Sequence, residues 1–162
     1  MNPQVIVLGI GNILFRDEGF GIRVVERLQD LYDFSENVSL VDGGVMVGRL
    51  LGVISEADHL IVVDAIRNQG TPGSLYRLDG EELPLRIRAK NSLHEMDFLE
   101  TLTYCRVLDR TPATVLLGAE PEDMETLGVE LTPTLLSRVD PVAEMVLGEI
   151  QRVGASYRTL SR

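Results

Sequence analysis

The run Gly9-Ile10-Gly11-Asn12-Ile13-Leu14-Phe15-Arg16-Asp17-Glu18-Gly19-Phe20-Gly21 constrains the fold more than any other stretch of the chain. It follows an apolar strand pattern, Val5-Ile6-Val7-Leu8. It precedes apolar positions Val24, Val25, Leu28, Leu31 and Tyr32 at helical spacing. Glycines and an Asp-Glu pair therefore stand at the mouth of a strand-to-helix turn. In open α/β sheets the ligand crevice lies beyond the carboxyl ends of the strands, so chemistry is expected here.

Nucleotide binding is the first chemistry to set aside. A dinucleotide fingerprint needs a third glycine where this chain has Leu14, and a P-loop needs Gly-Lys-Ser/Thr, whereas the only lysine is Lys90. Carboxylates at a helix N-terminus also occupy the place an anion would take and repel it. A carboxylate on a glycine-rich turn suits a cation better.

Composition narrows the class further. A chain of 162 residues fits one domain with a sizeable core. No apolar run reaches the roughly 18 residues of a membrane span, and the start Met-Asn-Pro-Gln lacks a basic n-region. A soluble, cytoplasmic protein is the expectation. The single cysteine, Cys105, leaves no internal disulfide and no cysteine-rich metal site. A net charge of −10 disfavours nucleic acid and anionic membrane as partners.

Strand and helix patterns alternate along the chain. The spacing predicts a strand at Val5–Leu8 and a helix over about Glu18–Tyr32. A strand at Val38–Val41, ending in Asp42-Gly43-Gly44, is followed by a helix over about Val47–Ser55. The dense run Leu60-Ile61-Val62-Val63 reads as a strand buried on both faces, ending at Asp64. Leu75–Leu78 alternates and reads as an edge strand. A helix follows over about Glu95–Leu108, then a strand at Ala113–Gly118. Thr132-Pro133 and Asp140-Pro141 are helix-start signals, the final helix being Val142–Val153. Residues 1–154 read as one domain and 155–162 as a mobile tail. This alternation indicates a three-layer α/β/α sandwich on a mostly parallel sheet, with the first strand between the second and third.

Three polar residues fall where different strands end: Glu18, Asp64 and His94. Two carboxylates and an imidazole make a ligand set for a borderline divalent ion such as nickel or zinc, with positions left for another ligand. The same residues also admit a plainer reading, in which Glu18 favours a helix N-terminus, Asp64 caps a loop and His94 bonds locally. His94-Glu95 does not begin a zinc-protease motif, because Phe98 stands where the second histidine belongs. Cys105 reads as a buried mid-helix residue, and no Gly-x-Ser-x-Gly occurs. Gly43 and Gly44 suit either a peptide passing close over the crevice or a plain turn.

The glycine-rich run, Val41-Asp-Gly-Gly, Val62-Val-Asp-Ala and Ser92-Leu-His94 together resemble the hydrogenase maturation endopeptidases, in order and over essentially the whole domain. The closest likeness is to members that process uptake-type nickel-iron hydrogenases. The resemblance implies a five-stranded sheet of order 2-1-3-5-4 with strand 4 antiparallel. It also implies an enzyme that removes a C-terminal extension from the large-subunit precursor once nickel is inserted. Metal ligation falls on Glu18, Asp64 and His94, with nickel supplied by the substrate and zinc or cadmium as possible occupants. Gly43 and Gly44 would then bind substrate. Water would be activated by the metal, or by a carboxylate such as Asp42 or Asp17. Val45 departs from the threonine frequent after Asp-Gly-Gly in the family. A nickel-binding accessory module without proteolysis, or a small metal-dependent hydrolase of free peptides, are the rival readings.

Overall fold

The computed structural model describes residues 2–44, 51–79, 109 and 111–161. Its elements run β1 (Val5–Ile10), a 3-10 turn (Arg16–Gly19), α1 (Phe20–Leu31), β2 (Tyr32–Phe34), β3 (Val38–Gly44), α2 (Leu51–Ser55), β4 (His59–Ala65) and β5 (Leu75–Asp79). They continue with β6 (Ala113–Ala119), α3 (Pro133–Leu136), α4 (Val139–Arg152) and β7 (Tyr157–Thr159).

The main sheet has the order β3-β1-β4-β6-β5. β1 pairs parallel with β3 and β4, and β4 parallel with β6, while β5 runs antiparallel to β6. Counting only these five strands, the order is 2-1-3-5-4, as the resemblance implied. Successive side chains in a strand point to opposite faces, and the core divides accordingly. Val5, Val7, Ile61, Val63, Val115 and Leu117 face α1 and α4. Ile6, Leu8, Leu60, Val62 and Leu116 face the other side, where α2 contributes Ile54. The continuous apolar runs of β1 and β4 follow from this two-sided burial.

Several boundaries differ from the sequence reading. The helix expected from Glu18 opens as a 3-10 turn, and α1 begins only at Phe20. Asp17 sends its side chain to a distant loop, so the turn has no side-chain cap. Tyr32 leaves the helix to start β2. Thr132 caps α3 with Pro133 in its first turn, as the Thr-Pro signal predicted. The Asp140-Pro141 pair instead lies inside the first turn of α4, whose cap position is Arg138. The tail expected to be mobile is tied down. β7 pairs antiparallel with β2, and Tyr157 meets Tyr32 edge-on at 5.4 Å between ring centroids. The expected helix at 95–108, Cys105 and Val45 lie outside the described residues.

Candidate active site

The glycines of the opening run are places where backbone touches backbone. A Cβ on Gly9 would stand 2.6 Å from the Gly21 carbonyl oxygen and 2.8 Å from Val25 Cγ2. One on Gly21 would stand 2.6 Å from the Ile10 carbonyl oxygen and collide with that of Val63. Helix α1 therefore starts directly on the ends of β1 and β4, closer than any side chain allows. Gly11, with φ +136°, is the centre of the arrangement: a Cβ there would collide with the Glu18 carbonyl oxygen. Its N–H donates to the Gly44 carbonyl at 3.0 Å, and Asn12 N–H donates to the Glu18 carbonyl at 3.1 Å. The same Cβ position lies 3.8 Å from Asp64 Oδ1. Three strand ends thus meet around one glycine.

This places two of the three expected ligands together. Glu18 is half-buried on the 3-10 turn, and Asp64 is buried at the end of β4 with Oδ1 accepting from Ala65 N–H at 2.8 Å. Gly118, register partner of Asp64 in β6, lets the two backbones approach, since a Cβ there would collide with the Asp64 carbonyl oxygen. His94 lies outside the described residues. Among the described residues no cluster of three metal-binding side chains occurs. A carboxylate on the 3-10 turn and another at the end of β4 are donors of the kind a divalent cation takes.

Asp42 is exposed, and its Oδ1 accepts from Gly44 N–H at 2.9 Å in an Asx-type turn. Register shifts between Gly9 and Ile10, which pair with Asp42 and Gly44, so Gly43 is the extra residue of a bulge. A Cβ on Gly43 would stand 2.7 Å from Leu8 Cδ1, so this glycine packs on β1 whatever else it does. Asp17, one of the two carboxylate bases considered, is engaged otherwise. It is fully buried, and its oxygens accept from the N–H groups of Glu122, Asp123 and Thr132 at 2.8–3.0 Å, and from the Thr132 hydroxyl. A carboxylate whose lone pairs are filled by fixed donors is an anchor, with no place to receive a proton from water.

Two roles escaped the sequence reading. The bond of Thr132 to Asp17 is one, because nothing local links the two. Glu120 is the other. It is 4% exposed, and both its oxygens accept from Asn68 N–H, at 3.0 and 2.9 Å, while one also accepts from Gly70 N–H. Tyr76 Oη lies 3.4 Å from it, and burial, then the Glu120 charge, pushes the phenol upward from its ordinary value. Glu120 thereby fixes the loop that descends from Asp64. Its position directly after a buried strand was the available signal.

Comparison with known proteins places the chain in a family. The family model for HycI, hydrogenase maturation protease, matches residues 22–149. The hydrogenase expression/formation protein HupD of Thiocapsa roseopersicina is 38% identical over 97% of this chain and 72% of its own length. The hydrogenase 2 maturation protease of Escherichia coli K12 is 36% identical over 93% of both chains. The solved structure of the hydrogenase maturating endopeptidase HybD from E. coli superposes with a TM-score of 0.92 at 35% identity, over 96% of this chain and 97% of that one. Sequence and fold agree, and the chain belongs to the hydrogenase maturation protease family.

Proposed function

We propose that this protein is the endopeptidase that removes the C-terminal extension of a nickel-iron hydrogenase large-subunit precursor in the cytoplasm, after nickel insertion. The observation that carries the reading is the convergence at Gly11, which gathers Glu18, Asp64 and the Asp42-Gly43-Gly44 turn from three strand ends. In this reading Glu18, Asp64 and His94 complete the coordination of the nickel that the substrate brings. Zinc or cadmium, with the same charge and tolerance for these donors, would occupy the same place.

The nickel then serves recognition. A precursor that carries nickel offers these carboxylates a contact that the nickel-free chain does not, so binding energy is spent on the loaded substrate alone. The bulge at Gly43 and Gly44 leaves space for the extended peptide, and holding it there turns a bimolecular attack into an intramolecular one. Asp42 is the base we assign: it is exposed, unlike Asp17, and the Gly44 N–H orients it. It takes the proton of the attacking water as the oxygen adds to the scissile carbonyl, and returns it to the departing amine as the C–N bond breaks.

The test is a gel assay of purified precursor, with and without nickel, against wild type and Asp64→Asn. Wild type should cleave only the loaded precursor, and Asp64→Asn should slow that cleavage on the order of 10²-fold. Equal cleavage of the nickel-free precursor would mean an ordinary peptidase. Binding of the loaded precursor without cleavage would mean an accessory module.

A further inference from the structure

Residues 120–132 form a loop with an unusual distribution of polarity. Its inner side is held by polar groups: Asp17 accepts from the N–H groups of Glu122, Asp123 and Thr132. Arg16 donates to the Glu130 carbonyl at 3.2 Å and Arg23 to that of Val129 at 2.9 Å. Asp123 accepts from the N–H groups of Glu125 and Thr126, both at 3.0 Å. The outer side is apolar, with Leu127 73% and Val129 55% exposed.

This loop is joined to the turn that carries Glu18. Gly128 N–H donates to the Leu14 carbonyl and Arg16 N–H to the Gly128 carbonyl, both at 2.8 Å. The bridge between Phe15 and Gly128 sets Leu14, 53% exposed, alongside Leu127. Val129 lines a groove of about 560 Å³ that Leu136, 63% exposed, also lines, with Arg23, Glu26, Arg27 and Asp30 of α1 as its charged wall. Exposed apolar side chains therefore form a band from the Glu18 turn to α3, along one wall of this groove. Such contiguous exposure on a monomer marks an interaction site.

We infer that the band Leu14–Leu127–Val129–Leu136 is the surface on which the folded body of the precursor docks while its C-terminal segment lies in the crevice. The inference rests on the processing reaction proposed above. Two observations select this occupant. First, the band is continuous with the residues meant to meet the precursor, since residues 13–18 carry both Leu14 and Glu18. A protein whose nickel reaches Glu18 comes up to the near end of the band at Leu14 and Leu127. Second, the rim carries charge of both signs, with the exposed carboxylates of Glu122 and Glu130, Glu125 paired to Arg67, and Arg23 and Arg27 in the groove, so it suits a partner with an apolar centre and charged edges, as a folded protein surface has. The polar scaffold beneath holds the loop in shape before the partner arrives, which reduces the ordering cost of association.

Leu127→Glu and Leu136→Glu test this, because both side chains are exposed and Leu136 lies on a different element from every proposed ligand. Both variants should melt like wild type and bind nickel ions alone with unchanged affinity in calorimetry. With nickel-loaded precursor, KM should rise about tenfold while kcat stays within about twofold. Unchanged KM in both variants overturns the inference and leaves the processing reaction standing. A shift from dimer to monomer in sedimentation, with KM unchanged, also overturns it, assigning the band to a second copy of this chain. If wild type does not cleave the precursor, the processing reading fails. Docking is then decided by the direct association of precursor with wild type and Leu127→Glu. Association equal in the two, or absent from both, overturns it, and association weakened by Leu127→Glu sustains it.

Discussion

Gly21 and Gly148 carry the same side chain and should answer the same substitution with opposite signs. Gly148 lies exposed within α4 with nothing near its missing Cβ, so Gly148→Ala should stabilise by about 0.5–1 kcal/mol through helix propensity. Gly21→Ala would drive a methyl into the carbonyls of Val63 and Ile10 and should destabilise by about 1–3 kcal/mol or more. Thermal melts of the two variants check the pair, and a loss at position 148 would contradict the packing described. Asp17 gives a second case. Asp17→Asn keeps the shape, yet an amide cannot accept on both sides. It must turn its NH2 either towards Glu122 and Asp123 or towards Thr132, leaving at least one buried N–H without an acceptor. The cost should be about 1–3 kcal/mol for each such group. Denaturant melts would measure it, and a change below about 0.5 kcal/mol would show that the anchor carries no load.

At the scale of elements, the loop at 120–132 and the last strand make the clearest predictions. The N–H and hydroxyl of Thr126, then the Glu125 N–H and the Arg16 charge, hold the Asp123 carboxyl at about 2. A carboxyl depressed in the folded state stabilises above its unfolded value of about 3.9, and loses that contribution as pH falls towards 2. The loop should therefore loosen in this window, seen as faster amide exchange at Glu125 and Thr126. In Asp123→Asn those amides should show little pH dependence beyond the intrinsic chemistry. For β7, Tyr157→Ala should cost about 1–3 kcal/mol by opening the contact with Tyr32 and Phe34. Loss of the exposed Arg158–Asp33 pair should cost under about 1 kcal/mol. These elements also show where sequence reading stopped. β1 and β4 were legible because burial on both faces makes each a self-evident apolar run. β7 was not, since Tyr157-Arg158-Thr159 acquires its pattern only from a partner at residues 32–34. The capping preference of Thr132-Pro133 is local and was legible. Its bond to Asp17 depends on closing the chain between residues 17 and 132 and was not.

For the whole molecule, Glu18 and Asp64 lie on segments that only the finished fold brings together around Gly11. A cation bound there should stabilise the native state by mass action, about 2.7 kcal/mol at a hundred times its dissociation constant. Nickel titrated into wild type should raise the melting temperature, whereas Asp64→Asn and His94→Ala should lose most of the rise. An equal rise in all three would place the ion elsewhere. The pair Glu18 and Asp64 could be read from strand ends because open α/β sheets collect ligands there. Asp17 could not be told from Glu18 by position, since adjacent residues on a tight turn point in unrelated directions. What separated them was the 122–132 loop, which the turn meets only in three dimensions.

The joint at Gly9, Gly11 and Gly21 has no side chains of its own, and this bears on how the family can diverge. A joint built from rotamers can be repacked, so its geometry drifts as neighbouring residues are exchanged. Here the opposing surfaces at Gly11 and Gly21 are main chain, identical whatever the surrounding sequence, and only Gly9 also meets a side chain, that of Val25. Substitutions elsewhere in the core, free to vary at constant volume, therefore have little lever by which to shift the backbone of Glu18 against that of Asp64. The helices around the sheet can change most of their residues over long descent while these two stretches of backbone keep their separation. The constraint falls on a few positions that must stay empty.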